Sequence, residues 1–260
     1  MTRRAASPGV LAPPRRTVLI LGATSAIARA VSREFARRGY DLLLAGRDPD
    51  ELHGLATDLA VRYGVKAEGR TFDALALETH GAFVEDCRRR SEDSLAGVVL
   101  CFGYLGDQSF AQKDLFEARR ILDTNLLGAV SILSLLANHF EEKRNGFLCA
   151  LSSVAGDRGR QSNYVYGAAK AGLTVFLQGL RNRLFSSGVR VVTIKPGFVD
   201  TQMTYGRPGL FLVASPETAA RHIVSAALKG KDQAYVPRFW WPVMLLIRLI
   251  PEKLFKRMQL

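Results

Sequence analysis

The sequence predicts a single doubly wound α/β domain, a mostly parallel sheet with helices on both faces. Three observations carry this. Short β-branched and leucine-rich runs alternate with longer segments of helical period along nearly the whole chain, which is the pattern of βαβ crossovers. The 260 residues suit one such domain and leave little for a second. No linker and no internal repeat interrupts the alternation.

The elements follow in order. Strand-like runs lie at 17–22 (TVLILG), 41–46 (DLLLAG), 65–72 (VKAEGRTF), 96–102 (AGVVLCF), 146–152 (GFLCALS) and 189–195 (VRVVTIK). Helix-period stretches lie between them at 25–38, 49–63, 79–90, 115–139 and 166–186. A late helix is signalled by Ser215 as its N-cap, Pro216 at its first position and Glu217 in its first turn. It should end near Lys229-Gly230, before a short strand at 234–236. The domain therefore spans residues 16–237. A basic leader, 1–15, is expected to be flexible, and an apolar-basic tail occupies 238–260.

Composition narrows the function. Net charge is +12, but Arg3, Arg4, Arg15 and Arg16 give +4 at one end. Arg238, Arg248, Lys253, Lys256 and Arg257 against Glu252 give +4 at the other. The basicity marks the ends and gives no broad nucleic-acid face. Cys87, Cys101 and Cys149 are too widely spaced for a disulfide framework, and four scattered histidines make no metal-ligand pattern, so no metal is expected. The N-terminus lacks a signal peptide's apolar core. A cytoplasmic protein is expected. In the tail, residues 239–247 form an apolar run too short for a span of about 20 residues. With Trp240, Trp241 and flanking cations it suits either an interfacial element, peripheral at the inner face of the membrane, or a lid packed on the protein's own core.

The first strand leads through Leu21-Gly22-Ala23-Thr24-Ser25-Ala26-Ile27-Ala28 into a helix. A doubly wound fold seats a dinucleotide pyrophosphate at this turn, on the unpaired N–H groups of the helix N-terminus. Only Gly22 of a three-glycine pattern is present, and Ala26 and Ala28 stand where glycines are usual. The second strand ends Ala45-Gly46-Arg47 with no acid at its end. A guanidinium there suits a 2′-phosphate, so NADP(H) is favoured over NAD, although Asp48 follows at once.

The strongest signal is Ser153, Tyr166 and Lys170. The tyrosine and lysine are spaced i, i+4 and share one helix face. A phenol with a pKa near ~10 needs a nearby ammonium to act as an acid–base group at neutral pH. Ser153 follows the fifth strand's end, where open α/β sheets bind ligands, and its hydroxyl can hold a carbonyl oxygen.

These motifs resemble the short-chain dehydrogenase/reductase family, from about residue 16 to 236. The resemblance implies a Rossmann-type domain and casts Tyr166 as the acid/base and Lys170 as its modulator and ribose ligand. It casts Ser153 as the carbonyl-positioning hydroxyl, preferred over Ser152, and Asn125 as anchor of a proton-relay water. It implies cofactor contacts from Gly22, Thr24, Ser25 and Ile27, from Arg47, and from Asp73 at the adenine. Gly103, Pro196, Gly197 and Thr201 complete that set. Cys101-Phe102-Gly103 departs from the usual Asn-Ala-Gly, so Phe102 must pack in place of a structural residue.

Phe102-Gly103-Tyr104-Leu105-Gly106-Asp107, the 155–160 segment and the tail resemble a bacterial branch that reduces polyprenyl-phosphoryl 2-keto-pentoses. That implies a lipid-linked sugar phosphate as substrate, a flavin-dependent sugar oxidase as partner and a homo-oligomer. Arg158 and Arg160 then suit a phosphate or a solvated loop equally. A reductase of another carbonyl, such as a 3-oxoacyl thioester or small ketone, and a non-catalytic NADP(H)-binding sensor stay open as alternatives. The sensor has no need of an acid–base pair.

Overall fold

The structure, a computed structural model, describes residues 16–202 and 212–258. The leader at 1–15 lies outside them. Seven strands form one sheet: β1 Thr17–Leu21, β2 Asp41–Gly46, β3 Ala67–Thr71, β4 Leu95–Leu100, β5 Phe147–Leu151, β6 Arg190–Pro196 and β7 Gln233–Val236. Their order is β3-β2-β1-β4-β5-β6-β7, and every pairing is parallel. The helices are α1 Ala26–Ala36, α2 Pro49–Tyr63, α3 His80–Arg90, α4 Gln108–Ala111, α5 Leu115–Leu122, α6 Gly128–Lys143, α7 Tyr164–Leu184, α8 Pro216–Lys229, α9 Trp240–Leu249 and α10 Glu252–Phe255.

The strands are buried on both faces, which is why they read as continuous apolar runs. Along β1, Val18 and Ile20 join a core with residues of α1, α2 and α8. Leu19 and Leu21 join the opposite core, with residues of α3, α6 and α7. Alternate side chains of one strand thus hold both helical layers. Each fully buried Leu, Ile or Val contributes about 1.5–3 kcal/mol. Helix ends follow the sequence signals. Asp48 caps α2 with Pro49 at its first turn and Gly64 left-handed at its end. Ser215 caps α8, which Gly230 closes in the same way.

The stretch read as one helix over 115–139 is broken. Between α5 and α6, residues 123–127 form a π turn in which the Gly128 N–H bonds back to Asp123 O. By length and hydropathy Leu115–Lys143 could cross a membrane. Ile132, Leu133, Leu136 and Phe140 are instead fully buried against the sheet, so it is a core helix.

The strand order reverses direction between β1 and β4. Loops leaving the carboxyl ends of β1, β4, β5 and β6 therefore surround one crevice, where ligands of open α/β sheets bind.

Candidate active site

The β1–α1 turn forms the floor of the crevice. Gly22 sits at φ +78, and a Cβ there would lie 2.7 Å from the Phe102 backbone nitrogen. Both the left-handed conformation and the close approach require glycine. Phe102, in place of the usual small residue, lines this approach with its backbone and turns its ring toward Phe72, 5.9 Å between centroids. Ser25 caps α1, accepting from Ala28 N–H, and the first turn of α1 has no acid to oppose an anion. Arg29 Nε donates to Thr24 O at 2.9 Å and fixes the loop. Ile27 packs partly buried on the core. Ala28 is fully buried there, where a small residue lets helix approach strand. Ala26 is the first residue of α1.

At the far end of the crevice, Arg47 is exposed just after β2 and forms no ion pair among the described residues. Its neighbour Asp48 serves another purpose: its Oδ1 accepts from Asp50 N–H at 3.0 Å and Glu51 N–H at 3.1 Å. Asp73, after β3, accepts from Leu75 N–H at 3.0 Å, and its carbonyl meets His80 Nε2 at 3.0 Å. A cradle of N–H groups without acid, followed by an unpaired guanidinium, fits a dinucleotide carrying an extra phosphate.

The reacting end is built from β5, the π turn and α7. Ser153 leaves β5 in extended conformation, its hydroxyl accepts from Ala155 N–H at 3.1 Å, and it lies close enough to the Tyr166 hydroxyl to favour the phenolate. Ser152 faces away: its hydroxyl donates to Lys170 O at 2.9 Å and meets Thr174 Oγ1 at 2.7 Å. The choice of Ser153 over Ser152 thus has a geometric basis. Lys170 is buried one turn beyond Tyr166, its Nζ donating to Leu151 O at 2.9 Å and lying 5.6 Å from the Tyr166 ring centroid. Asn125, 1% exposed, sits in the π turn. Its Nδ2 donates to Ile121 O at 2.8 Å, and its Oδ1 accepts from Tyr104 N–H at 3.2 Å. A single-turn π bulge of this kind widens a helix at a functional position. Gly103 closes the group: a Cβ there would be 2.9 Å from Asn125 Oδ1 and 3.5 Å from Lys170 Nζ.

The electrostatics correct one expectation. The lysine was expected to pull the tyrosine's pKa down. In this structure burial pushes the Tyr166 phenol up to about 12, and the Ser153 hydrogen bond pulls only partly against it. Burial also pushes the Lys170 ammonium down to about 8, opposed by the neighbouring Cys101 thiol. Desolvation of both charged forms outweighs their proximity. The phenol is therefore held protonated at neutral pH.

Several residues that the sequence reading did not single out hold the site. Lys195 in β6 forms an ion pair with Asp157, and Tyr235 in β7 donates to Asp157 Oδ2 at 2.7 Å. The pair is almost fully buried, side chains 5% and 3% exposed. It ties the loop that carries Ser153 to the edge of the sheet. A lysine inside the apolar run VRVVTIK was the available signal, since a buried lysine demands a partner.

Arg158 departs from the phosphate role considered for it. Its Nη1 donates to Ile247 O at 2.8 Å and Ile250 O at 2.6 Å, its Nη2 reaches Glu252 at 2.9 Å, and its guanidinium lies over Phe255. It is a latch for the C-terminal helices, with both terminal nitrogens engaged within the protein. Arg160 differs: its Nε is buried with no hydrogen-bond partner. Pro196 ends β6 and Gly197 follows it beside the tail, where Trp240 packs against Gly197, and Thr201 lies further along the same loop. Trp240 and Met244 are buried with Val154 and Tyr235.

A parallel seven-stranded sheet with a serine, tyrosine and lysine at its carboxyl edge defines a class of nucleotide-dependent oxidoreductases. The short chain dehydrogenase family matches residues 16–208, and the chain belongs to it. An uncharacterized oxidoreductase of Mycobacterium tuberculosis is 36% identical over 241 residues, 93% of this chain and 96% of its own length. Sulfoacetaldehyde reductase 2 of Chromohalobacter salexigens is 34% identical over 194 residues, 74% of this chain and 76% of its own. Among solved structures, a short-chain dehydrogenase from Sphingobium yanoikuyae in complex with NADPH superposes with a TM-score of 0.78 at 26% identity. It covers 90% of this chain and 93% of its own.

Proposed function

We propose that this oxidoreductase is an NADP(H)-dependent ketoreductase whose substrate carries its carbonyl near an anionic group. The observation that carries the reading is the Ser153 hydroxyl beside the Tyr166 hydroxyl and buried Lys170, at the crevice that Arg47 closes at its other end. Gly22, Thr24, Ser25, Ile27, Arg47 and Asp73 with Gly103, Pro196, Gly197 and Thr201 would hold the cofactor, which would supply the hydride. Ser153 positions the carbonyl oxygen and the protonated Tyr166 gives it a proton. Lys170 orients the ribose and restores the tyrosine's proton through the polar groups around Asn125.

The substrate proposed is a polyprenyl-phosphoryl 2-keto-pentose, reduced to the arabinose epimer at the cytoplasmic face of the membrane. Arg160, beside the catalytic loop with a buried Nε free of protein partners, supports an anionic substrate. Burial disfavours its charged form, only partly offset by Asp157, and a phosphate there would favour it. Such a keto sugar has to be made by an oxidation, which is the place for a flavin-dependent sugar oxidase as partner. Phe116, Leu127, Val175 and Phe185 are exposed on and around α5, α6 and α7 and support a homo-oligomer through these helices.

The likeness to sulfoacetaldehyde reductase 2 favours a second reading, a small carbonyl compound bearing a sulfonate or similar anion. NADPH oxidation with the lipid-linked keto-pentose and with sulfoacetaldehyde separates the two. Turnover of the first, lost in Arg160→Ala through a raised KM, supports the main reading. Efficient turnover of the second alone replaces it.

A further inference from the structure

Away from the crevice, a groove of about 320 Å³ opens where α8, β7 and the start of α9 meet. His222, Lys231, Arg238 and Trp241 line it, and no carboxylate does. Asp232, next to Lys231 in sequence, is turned to Arg181 at 3.5 Å. Lys231 and Arg238 form no ion pair among the described residues. His222 Nδ1 is buried with no hydrogen-bond partner. Burial first, then Arg238, Arg221 and Lys231, push the pKa of that imidazole down. The groove thus gathers Lys231 and Arg238 beside His222 without a counter-charge, which an anion would relieve.

What lies at its rim identifies the anion. Trp241 is 57% exposed and opens a face of α9 that continues through Leu245, Leu246 and Leu249, all exposed. Lys253, Lys256 and Arg257 follow, and Glu252, the one acid of residues 238–258, is bound by Arg158. A short apolar helix edged by cations and an indole suits the boundary of headgroups and acyl chains. We propose that this groove binds the phosphate of an anionic phospholipid headgroup, with the exposed face of α9 resting in the bilayer surface beside it. The proposal rests on the membrane-face part of the reading above and is independent of the chemistry at Tyr166.

The test is co-sedimentation of the full chain with phosphatidylglycerol and with phosphatidylcholine vesicles. Each cation near an anionic surface contributes a factor on the order of five. The Lys231→Gln/Arg238→Gln variant should therefore partition about 25-fold more weakly onto phosphatidylglycerol, and Trp241→Ser should also weaken it. Removing two charges elsewhere, in Arg33→Gln/Lys113→Gln, should cost much less. Equal loss in that control, or wild-type partitioning of the groove variant, overturns the proposal. So does protection of α8 and β7 by inorganic phosphate in hydrogen exchange without any vesicle binding, which makes the groove a free-anion site. Concentration-dependent burial of Trp241 in the absence of vesicles, which places a second copy there, overturns it as well. Turnover of a soluble carbonyl is measured in parallel: it should be unchanged in the groove variants, and its absence in the wild type would count against the catalytic reading alone.

Discussion

The indole of Trp240 occupies the space that a side chain at residue 197 would need. Gly197 belongs to the β6–α8 segment that the family resemblance places among the cofactor contacts, and the C-terminal helix packs directly against it. A methyl at 197 must displace the indole or the strand end. Overpacking of this kind costs roughly 1–3 kcal/mol. Gly197→Ala should lower Tm by about 2–4 °C per kcal/mol and weaken NADPH binding, measured by thermal denaturation and cofactor titration. An unchanged Tm and affinity would mean that Trp240 has room to move.

Arg47 should set cofactor preference. Asp48 is engaged at the α2 N-terminus, which leaves the guanidinium available. Hydrogen bonds to charged groups are worth enough that Arg47→Ala should lose roughly ten-fold or more in NADPH affinity. NADH affinity should hardly move. Equal losses for both cofactors would remove the 2′-phosphate from the account.

The pH dependence follows from Tyr166 and Lys170. Reduction needs the phenol protonated, and its pKa of about 12 keeps it so through neutrality. Lys170, lowered to about 8, loses its charge as pH rises through that value. The kcat/KM for carbonyl reduction should hold a plateau below pH 8 and fall above it. In Lys170→Arg, which keeps its charge at these pH values, the falling limb should move to higher pH on a lower plateau. Alcohol oxidation needs the phenolate and should rise with pH. A limb that stays at the same pH in Lys170→Arg would assign it to another group.

The buried pair of Lys195 and Asp157 gives a stability test. Removing one partner of a buried pair leaves an uncompensated charge and costs about 3–5 kcal/mol. Asp157→Ala should lose that much in urea denaturation, and the Asp157→Ala/Lys195→Met double variant should lose less. Additive losses would show that the two side chains do not depend on each other.

These residues also mark what the sequence could and could not show. The alternation of strands and helices, the turn at Gly22 and the helix carrying Tyr166 and Lys170 were legible because each rests on local period, capping or spacing. The break at Asn125 was hidden, since Leu115–Lys143 keeps a helical apolar pattern through its π turn. The Arg158 latch joins residues 94 apart in the chain, and Tyr235 reaches Asp157 across 78. Such contacts leave no periodic trace. The balance of charge at Tyr166 depends on burial, which i, i+4 spacing does not report.

The central claim is that Ser153, Tyr166 and Lys170 deliver a hydride and a proton from NADPH to a carbonyl. It is tested most directly by single-turnover transfer from NADPH deuterated at the nicotinamide C4, in wild type and Tyr166→Phe, with cofactor affinity measured alongside. The account predicts deuterium on the former carbonyl carbon in the wild type. It predicts transfer slowed by ~10²–10⁴-fold in Tyr166→Phe with NADPH affinity retained. No deuterium in the wild-type product, or transfer in Tyr166→Phe at the wild-type rate, would contradict it.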